Sequence, residues 1–183
     1  MKRRFVKDYV SNQEGKERFR YVGNYYIFSM EQDRRNKRCV QQLIFALVQL
    51  ILIVTAGFLN SPGSYKLYIV LPYLSMILPL LYYVMGSISF RKAPTRMQRH
   101  EYDVSIFRLM KSVLGLFFLS FFTMVGDTVF LVLEANVVQQ KAEIVFYIIM
   151  IILMIMNYIA LLAHNRMMKQ VQEEQQEKQQ NKD

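Results

Sequence analysis

The chain contains four long apolar runs, and this feature constrains its fold more than any other. The runs cover about residues 41–60, 66–86, 112–133 and 143–163. Each holds about 20 residues, and as an α-helix this length crosses the ~30 Å hydrocarbon core of a bilayer. A soluble chain of 183 residues would need polar, amphipathic helices to cover such a core, and none is evident. The sequence therefore predicts an all-α integral membrane protein, a four-helix transmembrane bundle.

Charged and polar residues flank the apolar middle of the chain. Residues 1–40 form a basic N-terminal region, residues 41–163 the four-span domain, and residues 164–183 a polar tail. The N-terminal region lacks the apolar segment of a signal peptide, so we expect the first run to act as an uncleaved anchor. The single cysteine, Cys39, excludes an internal disulfide.

Lysine and arginine are distributed unequally between the two sides of the predicted bundle. Of the 23 lysines and arginines, only two lie on one side of the bundle, namely Lys66 at the start of the second run and Lys141 in the loop after the third. The positive-inside rule places the richer side in the cytoplasm, so both termini are predicted to be cytoplasmic, N-in/C-in. Short outer loops without glycosylation acceptors favour the plasma membrane, in its bacterial cytoplasmic form. The net charge of +9 follows the span boundaries, which indicates attraction to anionic lipid headgroups of the bilayer rather than to nucleic acid.

The basic N-terminal region contains a strand-like pattern. In residues 17–29, apolar and aromatic residues flank Gly23-Asn24, which predicts a small cytosolic β-hairpin with a two-residue turn. A two-stranded hairpin is marginally stable alone, so we expect a third strand, from about residues 4–10, or support from the membrane or a partner. Its tyrosines and arginines suit either interfacial anchors or a protein-contact surface.

Two further cytosolic segments have helical patterns. Residues 95–111 predict an amphipathic helix at the membrane interface, capped by Thr95 and Gln98, that could run straight into the third span. In the tail, residues 164–183, the apolar positions run out after Val171. We therefore expect one or two helical turns there, followed by disorder.

The outer loops are short. In the first, Ser-Pro-Gly-Ser predicts a type II turn, with Pro62 fixing φ and Gly63 taking a positive φ. The second, residues 134–142, is expected to consist of little more than the frayed ends of two helices. An extracellular receptor for a bulky ligand is not expected from loops of this size.

Polar residues recur at helical spacing along all four predicted spans. Positions about seven apart share one face of a helix, as do Tyr68, Ser75 and Tyr82 in the second span. In the fourth span, Glu143 and Asn157 belong to one such stripe. The stripes are predicted to face one another inside the bundle, with the Leu, Ile, Phe and Val faces toward lipid.

Asp127 is a carboxyl group inside the third apolar run. At the bilayer centre an aspartate costs about 2.5–3.5 kcal/mol on insertion scales, so we expect it to be mostly neutral unless water or a cation reaches it. Two interpretations stay open, a proton or cation site and a protonated residue that cross-links helices. As a single carboxyl group without a second acid, it makes a poor transport pathway. Its partners are expected among Tyr73, Tyr147 and Met150. The predicted intramembrane polar site comprises Asp127, Thr123, Ser120, Gln49, Ser75, Tyr73 and Asn157.

No catalytic motif appears in the sequence, which contains neither HExxH, nor Gly-x-Ser-x-Gly, nor a Walker A loop. We therefore expect no enzymatic activity and no cofactor or metal. The first function hypothesis is a non-enzymatic, membrane-embedded interaction or accessory protein with a cytosolic contact surface, which binds a membrane protein or its own copies. The alternative is a small proton- or cation-coupled transporter or channel that uses Asp127.

Overall fold

The computed structural model is mostly helical and describes residues 9–11, 19–21, 23–28, 30–134, 141–169 and 171–174. Four of its helical stretches are long and apolar enough to cross a membrane, which confirms this part of the prediction. They are Gln32–Phe58, Leu67–Lys92, Arg99–Leu133 and Lys141–Met168. Each overlaps one of the four apolar runs.

Two of these stretches are built from consecutive segments. The second consists of α2 (Leu67–Ser75) and α3 (Ile77–Lys92), which meet at Met76. The third consists of α4 (Arg99–Tyr102), a π-helical turn and α5 (Arg108–Leu133). The first stretch, Gln32–Phe58, is α1, and the last, Lys141–Met168, is α6.

The helix that precedes the third span begins later than predicted. Gln98 and Glu101, rather than Thr95 and Gln98, form its capping box, because residues 96–98 are extended. The backbone N–H of Gln98 donates to Glu101 Oε2 over 2.9 Å. From Arg99 the helix continues into α5, as the sequence predicted.

Helix α5 is the centre of the bundle. It packs against α6, α3 and α2, while α1 packs against α3 and α6. The helices bury Ile, Leu, Met and aromatic side chains in one continuous core. At most 33% of each apolar stretch is buried between helices, and the outward side chains are mainly Ile, Leu, Val and Phe. The bundle therefore presents an apolar outer belt.

The predicted inward face of the second span was wrong. Tyr68 and Tyr82 are 50% and 53% exposed, and Ser75 is half-buried at the side of the bundle. The buried positions are instead Ile69, Tyr73, Met76, Leu80 and Tyr83. These positions recur at alternating spacings of four and three, the narrow stripe typical of tightly packed helices. Apolar and aromatic side chains at these five positions fill the core more completely than a face with Ser75 at its centre would.

The predicted hairpin around Gly23-Asn24 was also wrong, although strands lie on both sides of it. Strand β2 (Phe19–Tyr21) pairs antiparallel with β1 (Tyr9–Ser11). Strand β3 (Tyr25–Ile27) instead pairs with β4 (Arg96–Gln98). The expected third strand overlaps β1 at its end, and residues 1–8 lie outside the described residues.

The tail contributes a strand that the sequence did not predict. Helix α6 ends at Met168, about one turn beyond His164, as expected. Strand β5 (Gln172–Glu174) then pairs antiparallel with β3, so the sheet order is β4-β3-β5. Residues 175–183, where disorder was predicted, lie outside the described residues, as do residues 135–140 of the second outer loop.

Candidate functional site

Two carboxyl groups meet inside the bundle near the end opposite the sheet. Asp127 on α5 and Glu143 on α6 are both 0% exposed and lie beside each other, with an oxygen of each carboxyl group close to Gly63. A hydrogen bond between two carboxyl groups needs a proton on one of them, because carboxylates only accept. Asp127 therefore has the second acid that sequence reasoning did not give it.

The loop between α1 and α2 covers this acid pair. Its 3-10 turn, Pro62–Tyr65, places the Gly63 backbone N–H 3.0 Å from Glu143 Oε2. A side chain on Gly63 would collide with the Glu143 carboxyl group, and its first carbon would lie 2.9 Å from Asp127 Oδ1. Glycine is needed here because the loop backbone approaches the two acids closely.

This loop corrects the predicted type II turn. Gly63 does not take a positive φ, and among the described residues the positive φ belongs to Asn60, at 52°. The turn is instead closed by Ser64, whose backbone N–H donates to Ser61 O over 3.0 Å. The sequence analysis correctly singled out Gly63. The reason for the glycine is its small size, however, and not a positive φ.

Oxygen atoms of the acid pair and of the covering loop are buried without a hydrogen-bond partner from the protein. Within the described part of the chain, both Asp127 oxygens and Glu143 Oε1 are in this state, and so is the Ser61 hydroxyl two residues before Gly63. Unpaired buried oxygens are costly, and two adjacent carboxylates repel each other. A proton shared by the pair, or a bound cation, would relieve both penalties.

An ion pair lies at the rim of the same end. Lys66 Nζ is 2.9 Å from Glu134 Oε1 and 5.3 Å from the centre of the Phe130 ring. The hydrogen bond to Glu134 and the charge of that carboxylate raise the pKa of Lys66. Lys66 is thus paired with the exposed Glu134 and forms no salt bridge with Asp127 or Glu143.

Gln49 and Asn157, two other predicted site residues, form a separate polar pair. Gln49 Nε2 donates to Asn157 Oδ1 over 2.5 Å and connects α1 to α6. Asn157 lies 14 positions beyond Glu143, about 21 Å along α6. The structure therefore contains two polar layers, where the sequence grouped their residues into one site.

The remaining predicted site residues do not reach Asp127. The hydroxyls of Ser75, Ser120 and Thr123 donate to carbonyls of their own helices, at Leu71, Phe117 and Leu119. The Tyr73 hydroxyl donates to the carbonyl of Ile53 on α1. Tyr147, another expected partner, contacts Thr128 over 3.2 Å.

Glu143 is the site residue that sequence reasoning missed. It stands on the predicted polar stripe of the fourth span, but at the end of that span, where an exposed acid is ordinary. The loop backbone folds over it and makes it part of the interior. No periodicity within one helix signals such a contact.

At the opposite end, Arg35 holds three chain segments together. This side chain is 1% exposed. Its Nε donates to Met30 O over 3.0 Å, one terminal nitrogen donates to Phe28 O over 2.7 Å, and the other donates to the carbonyl of Ala93. Arg35 thus connects α1 to the residues that follow β3 and to those that precede β4.

The sheet above Arg35 forms a second candidate site, which we call the strand platform (residues 25–27, 96–98 and 172–174). Tyr26 stacks on Tyr102 with ring centres 4.4 Å apart, and Arg96 lies 4.1 Å from the centre of the Tyr25 ring. Met97, in strand β4, is fully buried. The platform is a folded polar and aromatic surface attached to the bundle.

Among the residues with described positions, no group of three or more His, Cys, Asp or Glu side chains could hold a metal ion. Compared with protein-family models, with curated proteins and with solved structures, the chain matches none.

Proposed function

We propose that this chain is an integral membrane protein of a plasma membrane of the bacterial cytoplasmic kind, with four spans and both termini in the cytoplasm. The apolar outer belt supports insertion, because burying so much exposed Leu, Ile, Val and Phe in lipid is favourable. The pairing of β3 with β5 supports a common side for both ends, since one strand precedes α1 and the other follows α6. The basic residues of this end support the cytoplasmic side.

Within that membrane, the protein acts as a non-enzymatic interaction or accessory protein through its strand platform. The observation that carries this proposal is the buried Arg35, whose hydrogen bonds to three carbonyls connect segments far apart in the sequence. A buried cation that only anchored the chain to lipid would not need such a network. The platform gives the cytoplasmic end a defined surface that a membrane-protein partner, or a second copy of the chain, could bind.

The test is affinity purification of the intact chain in mild detergent from the native membrane, followed by mass spectrometry. Arg35→Ala should lose partners that the parent chain retains. Arg34→Ala is the matched control, because Arg34 lies next to it on α1 with its side chain 77% exposed. If Arg35→Ala keeps every partner while its platform is demonstrably loosened, the interaction proposal is wrong.

A second candidate function, a proton- or cation-coupled transporter or channel, is favoured by one specific observation. Glu143 supplies a second acid beside Asp127, and buried carboxyl pairs are characteristic of sites that hold a proton or a cation. The sequence analysis counted the lack of a second acid against a transport pathway, and Glu143 removes that objection.

Liposome flux separates this candidate from the first. The purified chain is reconstituted, and proton flux is followed with an internal pH-sensitive dye under a pH step or under Na⁺ or K⁺ gradients. Asp127→Asn and Glu143→Gln should each abolish flux, while Glu134→Gln at the exposed rim should retain it. Absence of flux in the parent chain, or full flux in both variants, would remove this function. Helical circular dichroism and a monodisperse elution profile establish that each variant is folded.

A further inference from the structure

A groove opens between α1 and α6 near the end that carries the strand platform. Its volume is about 210 Å³, and its walls include Phe45, Tyr83 and Ile159. Ile159 is 61% exposed, so the groove opens sideways onto the apolar belt. It lies apart from the acid pair, because His164 in its lining is about 30 Å further along α6 than Glu143.

The floor of the groove holds two hydrogen-bond acceptors without a donor. Gln42 is 8% and His164 6% exposed, and Gln42 Oε1 and His164 Nε2 have no partner among the described residues. His164 Nδ1 lies 2.8 Å from Ala160 O, and a carbonyl can only accept, so the proton of the neutral ring is on Nδ1. This leaves Nε2 as an acceptor. Both atoms are therefore buried acceptors that a donor on a ligand would satisfy.

Arg38 supplies a positive charge at the rim of the groove. It is exposed, close enough to His164 to act on it electrostatically, and in no ion pair within the described residues. The groove thus combines a cation, two buried acceptors and an apolar side opening. An arginine is well suited to phosphate because its planar fork matches two phosphate oxygens.

We infer that this groove binds the headgroup of a glycerophospholipid whose headgroup carries an N–H or O–H donor. The phosphate would lie at Arg38, and the ammonium or hydroxyl group would donate to Gln42 Oε1 and His164 Nε2. The acyl chains would leave through the side opening and follow Phe45 and Ile159. The groove is smaller than the roughly 300–1,000 Å³ of sites for whole drug-sized molecules, which fits a headgroup with its chains outside.

This inference rests on the proposed membrane insertion, and its test uses that insertion as a separate first step. Membranes that contain the chain are washed with alkaline carbonate, which strips peripheral proteins. Release of the chain would contradict insertion itself. If the chain is retained and the lipid experiment then fails, only the lipid-binding inference is contradicted, and membrane insertion stands.

The lipid experiment is native mass spectrometry of the intact chain in detergent, with equal amounts of phosphatidylethanolamine, phosphatidylglycerol and phosphatidylcholine. All three have a phosphate and the same chains, but choline has no donor hydrogen. The chain should retain the first two about fivefold more than phosphatidylcholine, as expected for the loss of a buried hydrogen bond. Equal retention of all three would overturn the inference.

Two variants test whether the lipid binds in this groove. Gln42→Leu should remove the preference for donor-bearing lipids, and Arg38→Ala should weaken binding of all three lipids about fivefold. Arg34→Ala, one turn earlier on α1 and outside the groove lining, should leave both unchanged. Arg38 is exposed, so its variant remains informative if Gln42→Leu does not fold. Unchanged binding in Arg38→Ala, or displacement of the lipid by inorganic phosphate alone, would contradict a phospholipid site.

Discussion

At the scale of single residues, the acid-pair end of the bundle can pack as it does because Gly63 has no side chain. As a result, the α1–α2 loop lies close enough to α6 for the Gly63 backbone N–H to donate to Glu143. The same approach buries Asp127 and brings two acids together. The acid pair therefore lies under a loop near one end of the bundle and not in its middle.

Gly63→Ala should destabilise the protein. The added carbon would overlap the Glu143 carboxyl group and lie 2.9 Å from Asp127 Oδ1, and overpacking of this kind costs about 1–3 kcal/mol. Thermal unfolding in detergent, followed by circular dichroism, measures the loss. Gly115→Ala is the control, because its new carbon would lie 3.4 Å from Pro79 Cβ, an ordinary contact.

The clash can be assigned to Glu143 by a double variant. In a Glu143→Ala background the Gly63→Ala substitution should cost less, since the nearest colliding group is gone. An equal cost in both backgrounds would contradict the close approach of loop and acid.

The Gln49–Asn157 pair should stabilise the contact between α1 and α6. Gln49→Leu removes a hydrogen bond in the bundle interior, and such bonds in membrane proteins are worth about 0.6 kcal/mol on average and up to about 1.7 kcal/mol. Asn157→Leu alone should have a similar effect. The double variant should cost less than the two single variants together, as measured by unfolding in detergent. Strict additivity would show that the two amides do not interact.

At the scale of elements, helices were predictable and strand partners were not. The four spans follow from local composition, since about 20 apolar residues suffice to define each one. The strands follow from contacts between residues far apart, such as β3 with β4 and β5. The sequence around Gly23-Asn24 correctly indicated extended chain on both sides, but the two strands belong to different sheets.

Loss of the Arg35 network should loosen the strand platform without unfolding the bundle. Arg35→Ala removes the guanidinium donors from the carbonyls of Phe28, Met30 and Ala93. Backbone amides of β3 and β4 should then exchange with deuterium at least about tenfold faster, the change expected for about 1.4 kcal/mol of lost local stability. Hydrogen exchange with mass spectrometry measures this rate.

Arg34→Ala serves as the reference for that experiment, since its only ion pair, among the residues described, is a 3.8 Å contact with the exposed Glu31. Protection in β3 that is equal in the two variants would show that Arg35 does not hold the platform. Exchange that also increases throughout α5 and α6 would show a loss of the whole fold instead.

At the scale of the whole molecule, the two ends have different characters. One end carries the strand platform and, among the described residues, most of the basic side chains. The other carries a short loop, one rim ion pair and the buried acids. The sequence predicted this asymmetry through its charges. It did not predict the acid pair or the groove, because both depend on which helices become neighbours.

The central claim is that the four helices cross a membrane with the platform end in the cytoplasm, and labelling of cysteines tests it most directly. In a Cys39→Ala background, single cysteines replace Tyr65 in the outer loop and Lys92 and Lys169 at the platform end, all of them exposed. We expect a membrane-impermeant maleimide to label intact cells at position 65 only, and to label all three positions after the cells are opened. Labelling of position 92 or 169 in intact cells would contradict the account.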